Sequence, residues 1–175
     1  KEGDLGMEIL YFDTLTYAQG DMYVVASDKG LVYIGTPNAS FDEVKEWAKK
    51  PFKGYCFEEN SETLLPYKEQ LTAYFKKELI EFNLPIHVKG TAFQLAVWDA
   101  LKELPYGTTT TYGNIAQRIG NPKAVRAVGS AIGANPILAI IPCHRVIGKN
   151  GQLTGFRSGL AMKQFLLELE KESMD

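Results

Sequence analysis

The segment Ile140-Ile141-Pro142-Cys143-His144-Arg145-Val146-Ile147 limits what this chain can fold into more than any other. Two apolar runs flank three polar, reactive side chains. Apolar runs of this length read as buried strands or core segments. Placing a thiol, an imidazole and a guanidinium among them is costly unless each finds a partner or a task. Pro142 has no backbone donor and fixes one dihedral, so regular pairing stops there. Neighbouring side chains on a regular strand point to opposite faces. For Cys143 and His144 to serve one site, the chain must turn between the two runs.

A thiol attacks as its thiolate, and free cysteine, with a pKa of about 8.5, is only a few per cent ionised at neutral pH. The adjoining imidazolium and guanidinium predict a more readily ionised Cys143. On its own, a Cys-His pair reads more simply as a buried cysteine beside a hydrogen-bonded histidine. Two features favour chemistry. The stretch from Pro105 to Leu167 contains no aspartate or glutamate and seven lysines and arginines. Upstream, Lys123 to Gly133 sets a lone arginine, Arg126, among Ala127, Gly129, Ser130 and other small or apolar residues.

A net charge of −2 argues against a nucleic-acid partner until the chain is halved. Residues 1–88 carry 9 basic and 15 acidic side chains; residues 89–175 carry 10 and 6. A basic half joined to an acidic one points to phosphate contact by the second half alone. Lys89-Gly90 is therefore the expected boundary between an α/β N-terminal domain, 1–88, and a mainly α C-terminal domain, 89–175. A length of 175 residues supports either one medium domain or two small ones. No apolar run reaches the roughly 18 residues of a membrane span, and the N-terminus lacks a signal-peptide pattern. The cytoplasm is the expected compartment, or the nucleus for a eukaryotic source, with Met7 a candidate natural start. The cysteines, Cys56 and Cys143, and histidines, His87 and His144, are too few for a convincing zinc site, so no metal is expected.

In the first half, Met7–Phe12 reads as a strand, and Met22–Ser27 and Leu31–Ile34 as a hairpin around Asp28-Lys29-Gly30. Ser40 and Glu43 have capping-box spacing and open a helix to about Lys50, which Pro51 stops. Cys56, between two aromatic residues, reads as core. Pro66 suits the first turn of a second helix whose buried stripe is Leu71, Tyr74, Phe75 and Leu79. Phe82–Val88 is extended, with Pro85 favouring an edge or linker, and His87 is structural. Nothing in residues 1–80 has a catalytic spacing.

In the second half, Thr91 and Gln94 form another capping box, ahead of a helix whose apolar face is Phe93, Val97, Trp98, Leu101 and Leu104. Thr111 caps a short helix, Tyr112–Ile119, closed by Gly120. Asn121-Pro122 supplies a cap and first-turn proline for a helix over Pro122–Gly133. Helix, glycine turn and helix in a basic stretch predict a helix-turn-helix. A major-groove reader usually presents Arg, Asn or Gln at several positions. This helix offers Lys123, Arg126 and then small side chains such as Ala127 and Gly129, which suit close approach to a minor groove with weak sequence preference. Small residues for tight helix packing explain the pattern equally well on this helix alone. Gly148-Lys149-Asn150-Gly151 reads as the turn of a wing, and Leu160–Lys171 as a final helix with Met162, Phe165, Leu166 and Leu169 inward. Glu170 lies beside that stripe, either near the core or on the surface.

Pro142-Cys143-His144-Arg145-Val146, preceded by Asn135-Pro136 and followed by Gly159-Leu160-Ala161-Met162-Lys163, resembles the O6-alkylguanine-DNA alkyltransferases (methylated-DNA–protein-cysteine methyltransferases). The resemblance is close from about Gly90 to Glu170 and weak before that. It implies a winged helix-turn-helix C-terminal domain and a monomer that repairs double-stranded DNA through the minor groove, without a cofactor. The alkyl group on guanine O6, with O4-alkylthymine a second candidate, passes irreversibly to Cys143. The resemblance makes His144 the base, acting through a water, and Glu170 its orienter. Asn135 is implied as the hinge, Tyr112 as donor towards the flipped base and the phosphate, and Arg126 as the finger filling the vacated stack. Phe156, Arg157 and Ser158, with Val146, are implied at the base pocket. Some relatives carry glycine where Ser158 stands, which bears on pocket volume. A winged-helix sensor that binds alkylated DNA without repairing it is the alternative from another class, although family members that only bind lack the cysteine. A thiol hydrolase using Cys143 and His144 is a third, disfavoured by the acid-free basic run.

Overall fold

A computed structural model describes residues 7–174. They fall into two compact units: one is built from the described residues up to Ala73 with Phe82–Lys89, the other from Tyr74–Glu81 and the chain from Gly90 onward. An α/β unit is thus followed by a mainly helical one, the class expected above. The chain thus passes between units three times, before Tyr74, before Phe82 and before Gly90; nothing in the sequence signalled the inclusion of Tyr74–Glu81 in the second unit.

The first unit contains β1 (Glu8–Tyr17), β2 (Gly20–Ser27), β3 (Gly30–Ile34), α1 (Phe41–Ala48), β4 (Tyr55–Glu59) and most of α2 (Ser61–Phe75). The sheet order is β3-β2-β1-β4. β2 pairs antiparallel with β1 and β3, and β4 pairs parallel with β1. A parallel partner requires a crossover, which the segment carrying α1 provides. Leu10, Val25, Val32, Tyr33, Val44, Ala48 and Phe52 form the core between α1 and the sheet. Gly30 is required at its turn: its φ is +150°, and a Cβ there would lie 2.7 Å from the Pro85 carbonyl oxygen. That carbonyl accepts from Leu31 N–H, and His87 N–H donates to Leu31 O, which lays Pro85–His87 beside the start of β3. Ser27 Oγ and His87 Nδ1 are 2.7 Å apart, in keeping with a structural histidine.

Four expectations for the first 80 residues fail. Ser40 caps α1 by accepting from Asp42 N–H, but Glu43 completes no capping box, since its carboxylate accepts from Thr36 N–H and Oγ1–H instead. Cys56 is exposed rather than core. β4 is an edge strand, and period-two alternation turns Tyr55 and Phe57 towards cover while Cys56 faces out. α2 begins at Ser61, so Pro66 sits inside it; the start is set by Asn60, whose Oδ1 accepts from Thr63 N–H. α2 ends at Phe75, and Lys77 adopts a φ of 65°, so Leu79 lies outside the helix and is only half-buried.

The second unit contains α3 (Ala92–Lys102), β5 (Thr110–Thr111), α4 (Tyr112–Arg118), α5 (Val125–Gly133), a one-turn 3₁₀ helix (Cys143–Arg145), β6 (Val146–Ile147) and α6 (Leu160–Met174). The Thr91–Gln94 capping box of α3 is complete. Thr111 Oγ1 accepts from Asn114 N–H and starts α4. α5 starts at Val125, three residues later than expected: Asn121-Pro122-Lys123-Ala124 forms a turn closed by Ala124 N–H to Asn121 O, and no side chain caps the helix. Val128, Ala131 and Ile132 are the buried side of α5, anchored by Trp98 Nε1–H donating to Ala131 O. The turn expected at Gly148–Gly151 is present. Gly148 N–H donates to Gln152 O, and β6, just before the turn, pairs with β5 in parallel. Among the described residues no helix is long and apolar enough to cross a membrane.

Candidate active site

The chain does turn where Pro142 predicted. Pro142 has φ −80° and ψ 64°, and Cys143 N–H donates to Ile141 O, an inverse γ-turn. Arg145 N–H then donates to Pro142 O, and residues Cys143–Arg145 form the 3₁₀ turn. All three side chains are buried. Val146 and Ile147 then pair with Thr110 and Thr111, which places the start of α4, and with it Tyr112, beside the reactive turn.

Asn135 is two residues past the end of α5 and buried. Its Nδ2 donates to Ile141 O at 2.8 Å and to Cys143 Sγ at 3.0 Å, while its Oδ1 accepts from Ile137 N–H. One amide therefore ties the segment just after α5 to the loop and to the sulfur. Cys143 is 4% exposed. Burial pushes its thiol pKa up, opposed by the Asn135 bond and by the charges of Arg157 and Lys163. Sequence reasoning assigned that opposing charge to His144 and Arg145, and here the structure corrects it. The Arg145 guanidinium is consumed elsewhere, and burial keeps the imidazole neutral at ordinary pH.

Arg145 forms a two-pronged pair with Glu170, Nε to Oε1 at 2.9 Å and Nη2 to Oε2 at 2.8 Å, and its Nη1 donates to Leu104 O. His144 Nε2 lies 2.6 Å from Glu170 Oε2. Gly107 N–H donates to Oε1, and the Tyr74 hydroxyl donates to Oε2. Burial would raise the Glu170 carboxyl pKa, but bonds from His144 and Arg145, with help from Tyr74, hold it far below the usual carboxylate range. Burial lowers the His144 pKa, with Glu170 opposing. A charged carboxylate against a neutral imidazole fixes the tautomer: Nε2 carries the proton and Nδ1 holds a lone pair. Among the described residues Nδ1 has no hydrogen-bond partner.

The remaining expected residues divide by environment. Lys123, Arg126, Ala127 and Ser130 are exposed, and Gly129 is half-buried. A Cβ at Gly129 would meet only the Tyr112 ring, at 3.9 Å, and one at Gly133 would meet nothing within 4 Å. Packing inside the protein therefore does not account for the small residues on the outward side of α5. Tyr112 Oη and Thr154 Oγ1 are 2.8 Å apart. In the loop before α6, Phe156 and Arg157 are half-buried and Ser158 is buried, and Val146 has no exposed surface. Arg157 Nε donates to Asn135 O at 3.1 Å.

Two side chains at the site were missed from the sequence. Lys163 has 0% exposure; its Nζ donates to Thr154 O at 2.8 Å and lies 5.9 Å above the Phe156 ring. Burial lowers its pKa. The available signal was its seven-residue spacing from Glu170, two helical turns on one face. Tyr74 is the other, and its position in α2 gave no hint. Among the described residues, no three His, Cys, Asp or Glu side chains cluster as metal ligands would.

Residues 10–88 match the family model described as 6-O-methylguanine DNA methyltransferase, ribonuclease-like domain, and residues 92–172 match that family's DNA binding domain. The inducible methylated-DNA–protein-cysteine methyltransferase of Bacillus subtilis is 49% identical over 164 residues, covering 94% of this chain and 92% of its own. The solved O6-methylguanine methyltransferase of Mycobacterium tuberculosis superposes with a TM-score of 0.82 at 37% identity, with 94% of each chain covered. The same organism's OGT in complex with DNA gives 0.78 at 36% identity, again with 94% of each chain covered. Matches that span both units, with a buried cysteine held by an asparagine beside a histidine–glutamate pair, leave one conclusion: this chain belongs to the 6-O-methylguanine DNA methyltransferase family.

Proposed function

We propose that the protein repairs DNA by moving an alkyl group from guanine O6 to Cys143, once per molecule. The observation that carries this reading is the Cys143–Asn135 bond beside a His144 whose Nδ1 is unpartnered and whose Nε2 is engaged by a charged carboxylate. That is a nucleophile, a base with its lone pair available, and an orienter.

The step balances simply. His144 Nδ1 takes the thiol proton through a water, Cys143 sulfur attacks the alkyl carbon in line, and the C–O6 bond breaks. The guanine leaves with the electron pair of that bond and is neutralised by a proton, which the imidazolium can return. A donor near the base lowers the barrier as charge develops on it, and Tyr112 is assigned that role. The thioether has no easy reverse reaction, so one protein is consumed per lesion. O4-alkylthymine, which also carries its alkyl group on an exocyclic oxygen, is proposed as a second substrate.

The alkyl carbon is out of reach inside the stack, so the nucleotide must be flipped out, at a cost of a few kcal/mol. Exposed Arg126, on the outward side of α5 with Ala127, Gly129 and nearby Lys123, is assigned to the gap left in the duplex. Small side chains there that no internal packing requires support approach to a minor groove. Phe156, Arg157, Ser158 and Val146 are assigned to the base pocket. Action as a monomer is part of this proposal, as the family resemblance implies. A nucleophilic thiol of this kind requires a reducing compartment, which supports the cytoplasm.

Incubating the protein with excess O6-methylguanine duplex and measuring its intact mass tests the proposal. A gain of one methyl on the peptide holding Cys143 is expected. Tight binding with unchanged mass would leave the sensor reading in its place, and multiple turnover would indicate a hydrolase.

A further inference from the structure

The proton-transfer machinery described above uses three side chains from the Cys143–Arg145 turn and α6, but the carboxylate at its end has another occupant. Glu170 Oε2 is shared by His144 Nε2 at 2.6 Å, Arg145 Nη2 at 2.8 Å and the Tyr74 hydroxyl. Tyr74 is fully buried near the end of α2, in a stretch matched to the ribonuclease-like domain model rather than the DNA binding one. Its hydroxyl also lies 3.5 Å from His144 Nε2. Its ring meets Tyr106 edge-on at 6.2 Å, and Arg145 lies 5.6 Å from that Tyr106 ring. So the phenol is held by rings and aimed at the one oxygen that sets the imidazole's tautomer.

We propose that Tyr74 is a positioning residue for alkyl transfer, its hydroxyl tuning how strongly Glu170 holds the His144 imidazole and so the strength of the base at Nδ1. This rests on the repair reading above. A carboxylate oxygen that accepts a phenolic hydrogen bond has less density to offer the imidazole N–H. Without the phenol, Glu170 stabilises the imidazolium more, and the base becomes protonated at higher pH. Other charged or titratable groups at this cluster are Arg145 on the Cys143 turn, Lys163 on α6, Cys143 itself and Tyr106. Arg145 and Lys163 disfavour the imidazolium, and Glu170 alone among them favours it. Tyr74 therefore acts on the one group that does so.

The test is single-turnover transfer from an O6-methylguanine duplex, followed by intact mass across roughly pH 5.5 to 9, the range in which a histidine base titrates. Tyr74→Phe keeps the ring and removes the donor. The acid limb of its profile is expected to move to higher pH, with transfer near the foot of that limb slowed by about tenfold, the scale of one charge-assisted hydrogen bond. A 3-fluorotyrosine at position 74 is a stronger donor and should move the limb to lower pH. It also decides the matter should the phenylalanine variant not fold. Limbs unmoved by fluorination, or moved the same way by both changes, would overturn the proposal. Wild-type protein that transfers no methyl would instead overturn the repair reading, so the two failures are distinct.

Discussion

Glu170→Gln is the perturbation whose consequences the structure defines most completely. The carboxylate is 1% exposed and accepts from five donors: Gly107 N–H and Arg145 Nε on Oε1, and His144 Nε2, Arg145 Nη2 and the Tyr74 hydroxyl on Oε2. Glutamine preserves the shape, but one accepting oxygen becomes an amino group. Whichever way the amide turns, at least two donors then face a donor, and the buried Arg145 guanidinium loses its counter-ion. Breaking a buried ion pair from one side costs about 3–5 kcal/mol. At roughly 2–4 °C per kcal/mol for a chain of this size, the unfolding midpoint should fall by about 10 °C. His144 loses the partner that fixes its tautomer, and since general-base help is typically worth ~10²–10⁴, transfer at neutral pH should slow about 100-fold or more. The pH dependence adds a signature. Glu170 is held far below its unfolded value of about 4.3. Its contribution is therefore complete above that value and lost as pH falls below it, because the unfolded chain binds a proton the native site refuses. Burial lowers the His144 pKa, which acts in the same direction from about pH 6.5 downward. Wild-type protein should thus lose stability on acidification, and the glutamine variant should lack the lower part of that slope. Thermal unfolding by circular dichroism across this range, paired with single-turnover methyl transfer, gives both readouts. A midpoint within about 2 °C of wild type and a rate within about threefold would refute the network as drawn, since either is smaller than one lost charged bond.

Two further predictions follow from the sulfur and from α5. Asn135→Ala removes the amide donor to Cys143 Sγ, so the thiolate is less favoured; the alkaline rise in transfer rate should move to higher pH, with transfer at neutral pH slower by about tenfold, and an unmoved profile would remove Asn135 from that role. Arg126→Ala should weaken transfer from duplex O6-methylguanine more than transfer from free O6-benzylguanine, because the side chain is exposed and makes no part of the Cys143–Glu170 network; equal losses on both substrates would contradict the finger assignment.

Local chemistry along the chain was enough to determine a good deal. Pro142 between two apolar runs required a turn, and the turn is there. Thr91 with Gln94, Thr111, and the apolar spacing of Val97, Trp98 and Leu101 predicted α3 and the start of α4, because caps and helical periodicity are satisfied within a few residues of themselves. The charge asymmetry and the Cys-His-Arg run likewise singled out the second half of the chain. What failed were some local boundaries, such as the Glu43 half of a capping box and the starts of α2 and α5, and above all statements about which side chains the fold covers. Cys56 lies between aromatic residues yet faces out, since an edge strand alternates and only its partners decide the buried side. Arg145 adjoins Cys143 in sequence yet spends its charge on Glu170, 25 residues on. Lys163 was given no role from the sequence and proves fully buried. Tyr74 reached the site across 96 residues of sequence to Glu170, a pairing that no local period encodes. Hydrogen bonds to a buried carboxylate are satisfied by whatever the tertiary fold brings within three ångströms, and sequence spacing carries no record of it.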